Sequence, residues 1–219
     1  FKDYRDSKRT EHSARDLLAQ RIFALAPGYE DLNDHDLLKR DPLLAAIVGK
    51  KDLLGKQRSR SRDTGNPLAS SKTLNRLELT KEESGPQERY HKIVCCDDKL
   101  ESLLVDLFLE SYSKAPRKIV LDLDHTDILL HGKQENRFFH GYYDNYCYLP
   151  LFIFCDKQLL VAQLRSSDGD PMRGVIDELS RVVGQIREAW PKTKILIRGD
   201  SGFCREEFMV WCEAQENVD

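Results

Sequence analysis

The sequence predicts an α/β protein in which an all-helical region precedes a mixed sheet. Up to residue 114, apolar residues recur at the spacing of helices. From residue 117 onward, short apolar runs typical of strands alternate with helical patterns. The 219 residues, 40% of them hydrophobic, are enough for one large domain or two small ones with a buried core. We therefore expect a helical region over residues 1–114 and an α/β domain over residues 115–219.

The helical region is predicted from several short segments. Residues 17–25 carry the first apolar period, and Asp41-Pro42 is typical of a helix start. Basic residues dominate residues 50–63 without an apolar period, which predicts a flexible basic loop. A short polar helix is expected to follow over residues 70–79, and a long helix from Pro86 to about Tyr112.

From residue 117 the predicted order is three strands, a helix, a strand and a helix. These elements are Lys118–Asp124, Tyr148–Cys155, Leu159–Arg165, Met172–Trp190, Lys194–Arg198 and Cys204 to about Gln215. Three antiparallel strands followed by a right-handed crossover to a fourth strand beside the first is a permitted topology. It is also the opening order of a ribonuclease-H-like fold, so we expect the first part of such a domain, with a mixed sheet.

Charge and hydropathy limit the partners. The chain has 34 Lys and Arg against 37 Asp and Glu, a net charge of -3, so any contact with nucleic acid must come from local basic patches. The longest apolar stretch, Leu149–Phe154, is far shorter than the roughly 20 residues that span a bilayer, and no signal peptide opens the chain. The six cysteines lack zinc-site spacing. We therefore expect a cytoplasmic protein with reduced thiols and no membrane partner.

The strand Lys118–Asp124 carries the first chemical signal. Asp122 and Asp124 are two residues apart, so their side chains point to the same face of the strand. An ionised carboxylate on an apolar strand is destabilising unless a cation or hydrogen bonds compensate for it. This favours a metal site at the strand end. The alternative is that Asp124 only caps the strand and accepts hydrogen bonds from loop amides.

The strand Lys194–Arg198 repeats the pattern. It leads into Gly199-Asp200-Ser201-Gly202, where the glycines let the backbone turn sharply. Ligands of open α/β sheets bind beyond the carboxyl ends of the strands, so Asp124 and Asp200 meet at one sheet edge if their strands are parallel neighbours. Two carboxylates there suit Mg²⁺ (or Mn²⁺), which prefers oxygen ligands. Two ions about 3.5–4 Å apart would activate water or a 3′-hydroxyl.

Six segments together resemble DDE transposases of bacterial insertion sequences, in the branch whose first motif is Asp-x-Thr. They are Leu121–Thr126, His131–Gln134, Arg137–Asp144, Arg198–Phe203, Tyr29–Asp36 and Ala69–Glu78. The resemblance covers nearly the whole chain, and its joint pattern is specific. It implies a ribonuclease-H-like fold and metal-dependent cleavage and transfer of DNA strands at insertion-sequence ends.

The resemblance also implies roles and partners. Asp124 would be the first catalytic acid and Asp200 the second, both binding the metal. The partners would be double-stranded DNA, as transposon ends and target, and a second copy in a homodimer, at the nucleoid of a bacterial cytoplasm. The third acid of the family is a Glu in a Tyr-Arg-Glu motif well downstream, and nothing after Asp200 fits it. The start at Phe1 and the absence of a closing element lead us to expect a fragment cut at both ends, inactive or nearly so alone.

Basic residues are predicted to contact DNA phosphates, which position DNA without reading its sequence. These residues are Arg58, Arg60, Arg62, Lys72, Arg76, Lys133, Arg137, Arg198 and Arg205. Ordinary solvated surface charge is the alternative for each. A group of aromatic residues could stack on bases, although packing within a hairpin is the more frequent role. This group consists of Phe138, Phe139, Tyr142, Tyr143, Tyr146 and Tyr148.

Two other functions fit part of the sequence. Residues Asp122–Thr126 also resemble the first motif of haloacid-dehalogenase-type phosphatases, in which Asp122 would be the nucleophile and Asp124 a general acid. Against this, no further Asp follows closely after Asp200. In addition, the two strands predicted after Asp124 suit a hairpin-rich sheet better than a Rossmann-like one. The second alternative is a non-catalytic DNA-binding remnant, which the basic loop and the missing Glu favour.

Overall fold

The computed structural model describes residues 1–219, apart from the side chain of residue 98. The chain divides into two compact units, Phe1–Asp97 and Asp98–Asp219. The first unit is mainly helical and the second contains a mixed sheet, so the predicted fold class is confirmed. The assignment of separate functions to residues 1–114 and 115–219 stays a prediction.

The first unit contains four α-helices, three short 3-10 helices and one short pair of strands. The helices are α1 (Ala14–Leu25), α2 (His35–Leu38), α3 (Pro42–Val48) and α4 (Ser71–Glu78). Strand β1 (Lys2–Asp3) pairs antiparallel with β2 (Ile93–Val94), so the two ends of the unit are joined.

Local sequence explains the ends of these helices. Ser13 and Asp16 form a reciprocal capping box at the start of α1, with two backbone-to-side-chain hydrogen bonds of 3.1 Å. Asp41 caps α3 and Pro42 occupies its first turn, as the sequence predicts. Gly49 ends α3 in the left-handed region with φ of 88°, a conformation that glycine adopts without strain.

A buried polar contact organises the core of the first unit. Gln20 is buried on α1, and its amide exchanges two hydrogen bonds of 2.9 Å with the backbone of Ala69. The same side-chain nitrogen lies 2.9 Å from Nδ1 of His35, which is fully buried. Around this contact, Leu17, Leu74 and other apolar side chains form a small cluster. These hydrogen bonds therefore join two buried segments that are 49 residues apart in the sequence.

One prediction for the first 112 residues is wrong. The long helix expected from Pro86 begins only at Asp97, and Ile93-Val94 form β2 instead, so Cys95-Cys96 precede the helix. The segment 50–63 is a loop without α-helix or strand, as predicted, with a 3-10 turn at Ser61–Asp63. Ion pairs hold it to α1 and the residues before that helix, and its flexibility stays a prediction.

The second unit is built on a four-stranded sheet. Its strands are β3 (Lys118–His125), β7 (Leu151–Cys155), β8 (Gln158–Gln163) and β9 (Lys194–Arg198), in the spatial order β8-β7-β3-β9. Neighbours are antiparallel except β3 and β9, which are parallel. This is the predicted ribonuclease-H-like order, with the fourth strand returning beside the first.

Three helices share one apolar core with this sheet. They are α5 (Asp97–Glu110), α6 (Val175–Ala189) and α7 (Glu206–Glu213). Leu179 and Ile186 of α6 are fully buried with Leu121 and Ile195 of the parallel strands. Helix α6 is shorter than predicted at both ends, and at its start Gly174 takes the left-handed conformation with φ of 75°. Helix α7 begins after a 3-10 turn at Ser201–Phe203.

A second, three-stranded sheet was not predicted. It lies between β3 and β7 in the chain and has the order β4-β6-β5, from β4 (Ile128–Leu129), β5 (Phe138–His140) and β6 (Asn145–Tyr148). The strand predicted over Tyr148–Cys155 is therefore divided, with a break at Leu149-Pro150, where proline offers no N–H to a ladder. All six cysteines are free thiols. Within the described residues, no helix has both the length and the apolar character needed to cross a bilayer.

Candidate functional site

The ends of β3 and β9 form the candidate site, which we call the acid edge. The two strands are paired in register from Lys118 opposite Lys194 to Asp122 opposite Arg198. Asp124 lies two residues after Asp122, and Asp200 lies two residues after Arg198. Because side chains along a strand alternate with a period of two, the parallel pairing brings both predicted acids to the same end of neighbouring strands. The side-by-side, parallel arrangement on which the prediction depended is confirmed.

The turn after β9 packs on the last residue of β3. The ring of His125 meets the buried ring of Phe203 edge to face, with centroids 4.9 Å apart. A Cβ atom placed on Gly202 would lie 2.9 Å from both Cε1 of His125 and Oδ1 of Asp200. Gly202 therefore packs between the His125 side chain at the end of β3 and the Asp200 carboxylate in the turn after β9. This close packing needs a residue without a side chain.

The two acids differ in their local partners. The carboxylate of Asp200 accepts a hydrogen bond of 2.8 Å from the backbone N–H of Gly202, which fixes its orientation at the start of the 3-10 turn. Asp124 is exposed, and among the described residues no hydrogen bond or ion pair engages its carboxylate. Its oxygen atoms are free to bind a cation or a solvent molecule, which disfavours the alternative that it only caps the strand.

The sequence does not indicate that Tyr143 and Asp127 lie near the acid edge, although Tyr143 is among the aromatic residues considered for base stacking. Burial raises the pKa of Tyr143, and the negative charges of Asp127, Asp200 and Asp124 raise it further. The Tyr143 hydroxyl therefore lies in a field produced by three carboxylates. Tyr143 is in the turn between β5 and β6, and no sequence spacing indicates that this turn reaches the end of β3.

Asp122 is engaged by a partner of its own. Its two carboxylate oxygens accept hydrogen bonds of 2.6 and 2.8 Å from the guanidinium of Arg198. Contact with Asp122 raises the pKa of Arg198. This bidentate pair joins the last paired positions of β3 and β9. A carboxylate held in this way is a poor nucleophile, which argues against the phosphatase interpretation.

The donor set of the acid edge fits a hard divalent cation. Asp124 and Asp200 offer carboxylate oxygens, which are the ligands that Mg²⁺ and Mn²⁺ prefer. In the part of the chain that the structure describes, no three His, Cys, Asp or Glu side chains are grouped in a way that could hold a metal ion. The glutamates after Asp200 are exposed on or near α7, as their interpretation as solvated residues predicts.

The predicted phosphate contacts in the second unit have different surroundings. Lys133 is exposed. The Arg137 guanidinium stacks 3.8 Å from the centroid of the Tyr146 ring and donates to the carbonyl of Gly132. Arg198 is bound to Asp122, although its side chain remains 63% exposed. Arg205 is about half exposed and lies 3.9 Å from Asp170.

Four of the five predicted contacts in the first unit line one depression, which we call the basic cleft. It has a volume of about 570 Å³ and is lined by Arg58, Arg60, Arg62 and Arg76, together with residues near the start of the chain. Lys72 is exposed on α4 but does not line the cleft. A shared surface for these arginines could not be inferred from the sequence, since its walls come from distant segments.

Comparison with known proteins gives a family and two weak structural matches. The family described as transposase DDE domain group 1 matches residues 1–219. The two solved structures are a Mos1 transposase paired-end complex with the left transposon end and a pre-cleavage Mos1 transpososome. Each is 11% identical to the chain, with a TM-score of 0.31, and the match covers 98% of this chain and 61% of the other. No curated protein matches the sequence significantly.

Proposed function

The chain belongs to the transposase DDE domain family, group 1, and we propose that it forms part of a DNA transposase whose first two catalytic acids are Asp124 and Asp200. The substrates proposed are the ends of a transposon and a target duplex. A homodimer and a location at the bacterial nucleoid are further expectations of the same proposal.

One observation carries the proposal. The parallel, in-register pairing of β3 and β9 places an exposed acid at the end of each strand, at the same edge of the sheet. Chemistry in open α/β sheets is concentrated at the carboxyl ends of the strands. Family membership supports the proposed class of reaction, and the strand pairing supports its location at the acid edge.

Each residue of the acid edge has a separate task in this proposal. Asp124 and Asp200 would hold a Mg²⁺ or Mn²⁺ ion, the second in an orientation fixed by the Gly202 N–H. When bound, the ion would lower the pKa of a water or hydroxyl nucleophile and stabilise negative charge on the phosphate. His125 would keep the two strand ends together through its contact with Phe203.

Binding of Mn²⁺ to the purified chain, followed by electron paramagnetic resonance, tests the metal site. We expect one class of weak sites that is lost in both Asp124→Asn and Asp200→Asn. Glu206→Gln, which removes an exposed acid on α7, is the matched control and should bind as the unchanged chain does. Equal binding by all four proteins would refute the proposed site.

We further propose that the chain alone is inactive or nearly so. The resemblance implies that catalysis needs a third acid, but the described glutamates that follow Asp200 are exposed, and among the described residues none joins Asp124 and Asp200 in a group of three that could hold a metal ion. A strand-transfer assay with Mg²⁺ or Mn²⁺ should give at most trace product. Robust turnover that disappears in Asp124→Ala would contradict this expectation while supporting the role of Asp124.

A non-catalytic DNA-binding remnant is the second candidate function, and the basic cleft favours it. Binding to duplex DNA that weakens with salt, in a protein without any Mn²⁺ site, would support this candidate over the first. The phosphatase candidate predicts hydrolysis of a generic phosphomonoester that Asp122→Asn abolishes, and the Arg198 contact with both oxygens of Asp122 argues for a negative result.

A further inference from the structure

We propose that the basic cleft of the first unit binds the sugar-phosphate backbone of duplex DNA, and that Lys8 and Arg9 belong to the binding surface together with Arg60 and Arg62. The inference deepens the proposed function, on which it rests for the choice of DNA as ligand. It does not depend on the metal site or on any chemistry at the acid edge.

The first support is a local excess of positive charge. The cleft is lined by eight Lys and Arg side chains and only two carboxylates, Glu11 and Asp63, whereas acids outnumber bases in the chain as a whole. The cations come from the first residues of the chain, from Lys39, from the segment 58–63 and from α4. Charge gathered from distant segments onto one surface is typical of a polyanion site.

The most buried cation of the cleft, Arg58, is neutralised by an acid that also lines the cleft, Glu11. Arg58 is only 11% exposed, bound to Glu11 at 2.8 Å and to Nε2 of His12 at 2.9 Å. Burial, together with the positive charges of Lys50 and Arg58, lowers the pKa of His12 to about 4. His12 is therefore neutral at physiological pH and its Nε2 accepts from the guanidinium. Arg58 acts as a positioning residue that shapes the floor, which revises its predicted role as a direct phosphate contact.

The rim carries charge that is available to a ligand. Within the described part of the chain, Lys8 and Arg60 have no acidic partner for their side chains. Arg9 lies 3.6 Å from Asp6 and Arg62 lies 3.9 Å from Asp63. The side chains of these two arginines are 87% and 73% exposed, respectively. Exposed pairs of this kind contribute little to folding. These four side chains can therefore exchange their weak partners for phosphate oxygens without loss of structure.

The side chains indicate contact with the backbone and not with base edges. Base reading relies on bidentate amides and on arginines positioned in a groove, but the amide among the lining residues, Asn66, is engaged by Arg40 and by the carbonyl of Asp63. Long flexible cations with small hydroxyl residues such as Thr73 between them match a row of phosphates. We therefore expect binding that depends strongly on salt and weakly on sequence.

Fluorescence anisotropy of the purified chain with a labelled duplex, in EDTA and over a range of KCl concentrations, tests the proposal. The quadruple variant Lys8→Ala, Arg9→Ala, Arg60→Ala and Arg62→Ala should reduce the slope of log affinity against log salt by about 3 to 4, because each lost phosphate contact contributes about 0.9. Affinity near 0.1 M salt should fall more than about 100-fold. A second duplex of unrelated sequence should lose affinity to the same extent.

Three controls make the result decisive. A quadruple variant of exposed cations outside the cleft, at Arg15, Lys81, Lys157 and Lys192, should keep the slope, and an equal loss would overturn the assignment. The charge-conserving quadruple variant Lys8→Arg, Arg9→Lys, Arg60→Lys and Arg62→Lys should also keep the slope. It therefore separates the effect of lost charge from an effect on folding. The double variant Asp124→Asn and Asp200→Asn should bind DNA normally in EDTA, so failure of the metal site and failure of the cleft give different results.

Discussion

Substitution of Gly202 by alanine isolates the geometry of the acid edge from its charge. The new Cβ would lie 2.9 Å from Oδ1 of Asp200 and 2.9 Å from Cε1 of His125, closer than such atoms approach in folded proteins. Both neighbours are ends of side chains, so the turn itself can persist while the carboxylate, the ring or both move away. We expect an acid edge with the same residues and charges but a displaced Asp200.

The expected magnitude follows from the contacts that move. If the Asp200 carboxylate turns aside, it loses the 2.8 Å hydrogen bond from Gly202, which on an exposed turn destabilises the fold by about 1 kcal/mol. Loss of a group that orients a metal ligand typically weakens metal binding about 10- to 100-fold. Gly202→Ala should therefore weaken Mn²⁺ binding far more than it lowers stability.

The assay combines urea denaturation with Mn²⁺ titration followed by electron paramagnetic resonance. Gly184→Ala is the matched control, because Gly184 lies inside α6 with open space around its missing Cβ. It should stabilise the fold by about 0.5–1 kcal/mol and leave Mn²⁺ binding unchanged. If Gly202→Ala binds Mn²⁺ as tightly as the unchanged chain, the inference that Gly202 sets the orientation of Asp200 is wrong.

Three further predictions concern other parts of the chain. Gln20→Ala leaves the backbone of Ala69 and the ring of His35 without their buried partner, so urea denaturation should report a loss of about 3 kcal/mol, whereas a loss under 1 kcal/mol would contradict the network. The pKa of His12 is about 4 in the fold and 6.5 as an ordinary side chain, so the unfolded chain binds more protons between these values and stability falls as pH decreases through this window. From pH 7 to 5 this amounts to about 2 kcal/mol, and His12→Gln should remove that part of the pH dependence; an unchanged slope would count against it. Asp122→Asn breaks a largely exposed ion pair, so it should cost under about 1 kcal/mol and leave Mn²⁺ binding intact, and loss of the metal would show that Asp122 is a ligand.

The elements that surround the acid edge could be predicted because their sequence signals are local. Lys194–Arg198 is a strand with the predicted bounds, and β3 extends only one residue beyond its predicted end. Both are short apolar runs bounded by a polar or glycine-containing turn. Parallel pairing then follows from the helix α6 between β8 and β9, since a crossover of that length returns the chain in the same direction.

The features that escaped prediction depend on long-range contacts. Ile93-Val94 fit a helical apolar period, but β1, more than 85 residues earlier, pairs with them and decides their conformation. The segment 50–63 has no apolar period, since its two apolar residues, Leu53 and Leu54, are adjacent and exposed, and it is held by ion pairs of Lys50 with Asp16 and of Arg58 with Glu11. Electrostatic partners at such separations leave no periodicity in the sequence.

The small sheet β4-β6-β5 escaped for a different reason. Its aromatic residues are substantially exposed; Phe139 and Tyr146 are 53% and 43% accessible, so they do not alternate between a buried and a polar face as strands of a sheet usually do. Tyr143 lies in the turn between β5 and β6 of this sheet. For this reason the sequence could indicate the two acids at the strand ends but not the tyrosine and the additional aspartate near them.

The ion pair between Asp122 and Arg198 has a consequence for how the chain is aligned during folding. A slip of β9 by a single residue would turn every one of its side chains to the opposite face of the sheet, would separate this pair and would direct Asp200 away from Asp124. The apolar residues of the two strands are similar at each paired position, so they discriminate weakly against such a slip. The ion pair at the last paired position favours the observed register, and this register brings the two acids to the same end of the sheet.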